Sequence, residues 1–396
     1  MLELIINKNK NKDIETICLV ENGKLVEKYE NNEETMKNRL EGNIYAGKVA
    51  DIVPGMQSAF VDYGDSRKGL LHLKDAIPQV DEKSVKKEQS NKKISELLKQ
   101  NQKILIQIKK DSNERKGAKI STHISIPSRY IVFMPNTEII TISQKIEDEK
   151  RKNELLELVR GNISSGNGAV IRTSAFDVNN EEIKKDIGRC EKKWKEILNE
   201  YEKSNPTELL YKSESVQAKI LMDLKVDKVI TNDQQEFESF KQLIKFEGIK
   251  GVKLEYSPSK DLLVMYDLST QIKKSKDRKV WLNCGGFITI DKTEALTAID
   301  VNTGKFTGKS DLENTIFKVN KEATIEIAKQ FRLHDIGGIV IIDYIDMHIP
   351  ENNEKIENLL KEELKKDRAK TQVEGFTKLN LMELTRKHIC SHLNEV

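Results

Sequence analysis

Short apolar runs divided by turn residues organise most of the chain. LELIIN at the start, then ETICLV and KLVEKY on either side of Asn22-Gly23, predict a β-hairpin region. Residues 39–122 continue in the same way. There GNIYAGKVADIVPGMQSAFVDYGDSRKGLLHL is cut by Pro54-Gly55 and Gly64-Asp65, and KILIQIKKD follows a lysine-rich helical stretch. Five short strands with an interposed helix in so short a span suit an OB barrel. Residues 123–213 mix the strands YIVFMP and GAVIRTSA with a charged helix, NNEEIKKDIGRCEKKWKEILNEY, and 214–280 read as a further α/β piece.

The period changes most informatively between residues 281 and 347. The strand-like run ALTAIDVNTG precedes a helix whose Ile316, Val319, Ala323, Ile327 and Phe331 share one face. Ser310 and Glu313 have capping-box spacing at its start, and Gly337-Gly338 stops it before GGIVIIDYIDM. Strand, helix, strand is a βαβ unit, so its two strands should be parallel. Asp300 and Asp343 then lie near the carboxyl ends of those strands, where open α/β sheets bind ligands. Two carboxylates there suit a divalent cation, and Asn302 could orient a carboxylate or a bound water; the same aspartates also serve as turn formers or helix caps. A helical stretch at 351–366 and DRAKTQVEGFTKLNLMELTRKH close the chain.

Composition narrows the class. At 396 residues, two to four domains are expected. Lys and Arg number 67 against 64 Asp and Glu, so the net +3 carries little information. The local distribution carries more. Between Asn91 and Ile120, Lys92, Lys93, Lys99, Lys103, Lys109, Lys110, Arg115, Lys116 and Lys119 face only Glu96, Asp111 and Glu114, a local +6. Such a stretch fits either a polyanion partner or a solvated lysine-rich helix. Cys18, Cys190, Cys284 and Cys390 are scattered without a CxxC pair, which argues against a disulfide framework and against zinc bound within one chain. There is neither a signal-peptide-like start nor a run of ~20 apolar residues, so a cytoplasmic protein without membrane spans is expected.

The ordered segments NIYAGKVADIVPGMQSAFVDYG, IRT at 171–173, EALTAIDVNTG at 294–304, RLHDIGGIVIIDYIDM at 332–347 and DRAKTQVEGFTKLNLMELTRK at 367–387 resemble the ribonuclease E/G family. The resemblance implies a multidomain α/β protein. Residues 1–38 and 214–280 would form an RNase H-like domain, 39–122 an inserted OB-fold RNA-binding barrel, 123–213 a 5′-monophosphate sensor, and 281–396 a DNase I-like catalytic domain. It implies a Mg²⁺-dependent endoribonuclease acting on A/U-rich single-stranded RNA, in rRNA and tRNA processing and mRNA decay. Asp300 and Asp343 would hold the metal with Asn302 in support, and Arg172 and Thr173 would bind a 5′-phosphate. Phe60 would stack on a base, Lys116 would meet the backbone, and Arg368 and Lys370 would position phosphate. Leu70 departs from the pattern, since better-known members carry a second aromatic there; Tyr45 and Tyr63 are expected inside the barrel.

The family pattern continues past TRK into paired cysteines that share zinc between subunits, whereas this chain reads RKHICSHLNEV. Loss of the zinc link and a truncated gene product are the plain readings. Cys390 and His392 from two protomers could instead form a Cys₂His₂ site, although the C-x-H spacing is cramped. A homodimer is therefore one expectation, with the oligomeric state open. Two competing functions remain at this stage: a non-catalytic single-stranded RNA-binding platform, and a nuclease of single-stranded DNA.

Overall fold

The computed structural model of the protein describes residues 1–9, 13–32, 39–77, 93–112, 116–258, 261–304 and 312–389. The chain divides into two compact units, one formed by Met1–Thr35 with Lys225–Val396 and the other by Met36–Leu224.

In the second unit, strands Ile44–Val53, Ser58–Asp62, Gly69–His72, Lys119–Ser121 and Lys103–Lys110 pair in that order, and the last returns to the first. This closed five-stranded barrel is consistent with the OB fold expected of residues 39–122. Val49, Val61, Ile106, Ile108 and Ile120 fill its interior. Gly47 lets two strands close, because a Cβ there would stand 2.6 Å from Cγ1 of Val61. Leu209–Tyr211 adds an antiparallel edge to the first barrel strand. A second sheet orders Ile140–Ile142, Asn167–Ile171, Ile131–Pro135 and Ile126–Pro127. Its core is shared with helices Glu149–Arg160 and Asn180–Lys203, through Leu155, Val159, Ile183, Ile187, Cys190 and Trp194.

The other unit contains two sheets. In the first, Leu2–Asn9 pairs in parallel with Lys228–Thr231, itself parallel to Lys253–Tyr256. On its other side, Ile14–Glu21 and Lys24–Asn32 add antiparallel strands. Asn22 and Gly23, with φ of 50° and 78°, form the turn between those two strands. Such left-handed pairs match hairpin twist, as the Asn-Gly signal requires. The second sheet has six strands in the order Lys279–Trp281, Phe287–Lys292, Leu296–Asn302, Gly338–Asp343, Leu381–Arg386 and Thr371–Phe376. Leu296–Asn302 and Gly338–Asp343 are parallel, as the βαβ reading demands, and helix Leu312–Leu333 connects them. Ile299, Val301, Val340 and Ile342 bury against that helix and against Pro350–Lys365, while Ala298, Asp300, Ile339 and Asp343 point to the exposed face.

The Glu313 carboxylate reaches another loop, where it accepts from the amides of His348 and Ile349 at 3.0 and 3.2 Å and from Asn352 Nδ2 at 3.0 Å. Ser310, its expected capping partner, lies outside the described residues. Among its described residues the basic stretch is not one helix, as one reading expected: Ile94–Leu97 is helical and Lys103–Lys110 is a strand. Lys103 Nζ donates to the carbonyls of Tyr201 and Ser204 at 2.6 and 2.8 Å, and Lys109 Nζ donates to Gln107 Oε1 at 2.6 Å. The strand turns Lys103 and Lys109 to one face and Lys110 to the other, while Lys93, Lys99, Lys116 and Lys119 are exposed.

Candidate active site

The register of two parallel strands builds the site. Asp300 pairs directly with Asp343, so both carboxylates project from the same face of the sheet on neighbouring strands. Both are exposed. Asn302, two residues on and therefore on that face, donates from Nδ2 to Asp300 Oδ2 at 2.5 Å. Desolvation pushes the Asp343 carboxyl above its ordinary range, and the negative charges of Asp300 and Asp346 push it further. Asp346 lies beyond the strand end, where its carboxylate accepts from Asn380 Nδ2 at 2.8 Å.

Residues that the sequence reading passed over hold the segment after Asp343. Asn320, fully buried in the connecting helix, donates to the Ile345 carbonyl at 2.8 Å and accepts from the Ile345 amide at 3.1 Å. Thr324 Oγ1 and the Tyr344 hydroxyl lie 2.9 Å apart. A polar Asn within an otherwise apolar helical face was the available signal. With the Glu313 carboxylate on His348 and Ile349, both ends of the 345–349 segment are fixed to the helix that joins the two aspartate strands.

The donor set fits Mg²⁺. Two adjacent carboxylates on an exposed face leave positions for water and phosphate oxygens, the coordination this hard cation favours. Among the described residues no group of three or more His, Cys, Asp and Glu side chains gathers, so a soft-metal or closed cage is not formed there. Cys390 and His392 lie outside the described residues.

The remaining sequence candidates fall in several places. Arg172 follows strand Asn167–Ile171; its Nη1 donates to the Ser128 carbonyl at 2.7 Å, and its Nη2 pairs with Asp223. Thr173 Oγ1 lies 3.1 Å from Ser143 Oγ. Phe60 projects from the outside of the barrel, between buried Ala59 and Val61, with Asp51 and Leu70 as its cross-strand neighbours. Leu70 therefore occupies the place beside Phe60 where a second aromatic would extend a stacking surface, and it pairs onward with Lys119. Lys116 is exposed just before that strand. Tyr45 and Tyr63 are buried in the barrel, edge to face with centroids 5.5 Å apart.

Arg368 and Lys370 do not join the aspartates. The Arg368 side chain is 7% exposed and pairs at 2.8 Å with Glu27, 2% exposed, while also reaching the Tyr29 hydroxyl at 3.1 Å. Burial commits that guanidinium to an internal ion pair. Lys370 lines a cleft of about 350 Å³ with Gly338, Ile339, Gln372, Thr385 and Lys387. That cleft is at the Gly338 end of the strand, and Asp343 ends it roughly 17 Å away, at the usual rise per residue.

The chain matches the Ribonuclease E/G family over residues 125–389, and it belongs to that family. Ribonuclease G of Salmonella typhimurium (strain SL1344) is 36% identical over 90% of this chain and 74% of its own length. Ribonuclease G of Escherichia coli (strain K12) is 35% identical over 92% of this chain and 76% of its own. Ribonuclease E of the same strain is 31% identical over 100% of this chain but only 38% of its own length, a weaker likeness than that to ribonuclease G.

Proposed function

We propose that the protein is a Mg²⁺-dependent endoribonuclease that cleaves single-stranded RNA at the Asp300–Asp343 face. The observation that carries this reading is the in-register pair of exposed carboxylates with Asn302 hydrogen-bonded to one of them. Membership of the ribonuclease E/G family supports the substrate class. Asp300 and Asp343 would hold the cation, and Asn302 would fix the orientation of the Asp300 carboxylate. When bound, Mg²⁺ would polarise a phosphoryl oxygen and offset charge developing on the phosphate. Hydrolysis adds a water oxygen to phosphorus and breaks the P–O3′ bond, leaving a 5′-phosphate and a 3′-hydroxyl. The chain's own contribution is placement: the helix-anchored 345–349 segment holds the end of the Asp343 strand still. A/U-rich strands in rRNA and tRNA processing and mRNA decay are the proposed substrates.

A purely binding role has less support, because adjacent carboxylates repel a phosphate backbone unless a cation lies between them. The test is cleavage of a short A/U-rich RNA with Mg²⁺ or with EDTA, beside Asp300→Asn. Cutting that needs Mg²⁺ and is lost in the variant is the expected result. Asn302→Ala should lower the rate about 10–100-fold, the usual cost of removing a residue that orients a metal ligand. Binding without cutting in wild type would establish the platform instead.

A further inference from the structure

The sheet that carries the aspartates also carries an aromatic and cationic surface beside them. Two rows of side chains cross its exposed face. Lys279, Thr289, Asp300 and Asp343 are successive cross-strand partners in one row; Trp281, Phe287 and Asn302 form the next. Val280 and Ile288 alternate with them into the core, which fixes the outward direction of both rows. Trp281 is 60% exposed, an unusual position for the largest apolar side chain. Its ring lies 5.3 Å from that of Phe287, and Lys279 Nζ lies 4.1 Å from the Trp281 centroid and 3.4 Å from the Phe287 centroid. Next to it, Arg278 and Asp291 neutralise each other through two bonds of 2.5 and 2.6 Å.

We propose that Trp281, backed by Phe287 and Lys279, is a stacking platform for one base of the RNA strand whose phosphate lies at Asp300 and Asp343. This rests on the endoribonuclease reading of the same face. Three features select a nucleotide over other occupants of an exposed sheet face. The Trp281 surface offers a flat π face, which any base can stack upon. Lys279 supplies a positive charge that the two rings hold in place, complementary to a phosphate backbone. Continuity with the carboxylates supplies the third: Phe287 neighbours Asn302, and Lys279 is two strands from Asp300, about 10 Å at ordinary strand spacing. The surface therefore extends the site in the direction opposite to Asp343 and would hold a base on one side of the cut.

Trp281 is one of only two tryptophans, and the other, Trp194, is buried, so Trp194→Phe isolates its fluorescence. The full chain, in that background and with Asp300→Asn to prevent cutting, would be titrated in Mg²⁺ with a short 5′-monophosphorylated A/U-rich RNA while anisotropy reports binding, and cutting would be assayed without the Asp300→Asn change. The expected result is that RNA quenches Trp281 and shields it from iodide. Trp281→Ala should weaken binding about 5–100-fold, the range of one base–aromatic stack. A single abasic nucleotide at one position should cause a similar loss in the parent and little further loss in Trp281→Ala. Lys279→Ala should keep the shielding and flatten the salt dependence of binding. RNA that binds while Trp281 stays open to iodide, with an abasic scan unchanged by Trp281→Ala, would overturn the platform and leave the nuclease intact. Shielding that rises with protein concentration alone would also overturn it, in favour of a second copy. Shielding by RNA without any Mg²⁺-dependent cutting would keep the platform and remove the nuclease.

Discussion

Glu15 shows how one carboxylate is shaped by its surroundings. It is buried on strand Ile14–Glu21, where desolvation raises its pKa; Asn31 Nδ2 donates to it at 2.9 Å and opposes the rise. Glu236 and Asp233 raise it further, while Lys8 lowers it. Because the folded value exceeds the unfolded one, the folded state binds the proton more tightly. The stability from this group is complete below the ordinary value of about 4.5 and is lost as pH rises through the raised one. Glu15→Gln keeps an acceptor for Asn31 without the charge. Thermal unfolding should show it to be more stable than wild type at neutral pH, with the difference vanishing in acid. Asp300 and Asp343 were evident as chemistry from the sequence, while Glu15 was not, because desolvation depends on what packs around a group.

Between elements, Arg386 carries the most concentrated electrostatic load. It ends strand Leu381–Arg386, is fully buried, and donates from Nη1 to Asp335 and from Nε to Asp367, each at 2.7 Å. The two acids follow helices Leu312–Leu333 and Pro350–Lys365, so one guanidinium fixes both helix ends to the aspartate sheet. Arg386→Leu should cost about 3–5 kcal/mol in denaturant unfolding, because two buried carboxylates would lose their cation. A loss well under that would mean that the loops relax to water. The βαβ unit was legible because its helical face and its strand alternation have distinct periods. The Leu381–Arg386 strand was visible only as part of a family motif. Its insertion beside Gly338–Asp343, with Thr371–Phe376 outside it, depends on pairing that local periodicity does not encode.

For the molecule acting as a whole, discrimination between RNA 5′ ends is the property to measure. Arg172 is anchored by Ser128 and Asp223, which leaves its guanidinium oriented but partly neutralised. We expect Arg172→Ala to narrow the preference for a 5′-monophosphate over a 5′-hydroxyl, measured as a ratio of kcat/KM on matched RNAs. Equal loss on both substrates would assign Arg172 a structural role only. The sequence by itself determined the βαβ unit, the Asn22-Gly23 hairpin, the barrel strands and the two aspartates, because these follow from local periodicity, turn chemistry and side-chain type. Only the tertiary structure decided that Asp300 and Asp343 share a register, that Arg368 is buried on Glu27, and that Lys370 stands at the far end of the sheet. It alone placed Lys279 and Trp281 beside the carboxylates. Cross-strand register and burial arise from contacts between segments far apart in the chain, and a one-residue slip would send those side chains to the opposite face.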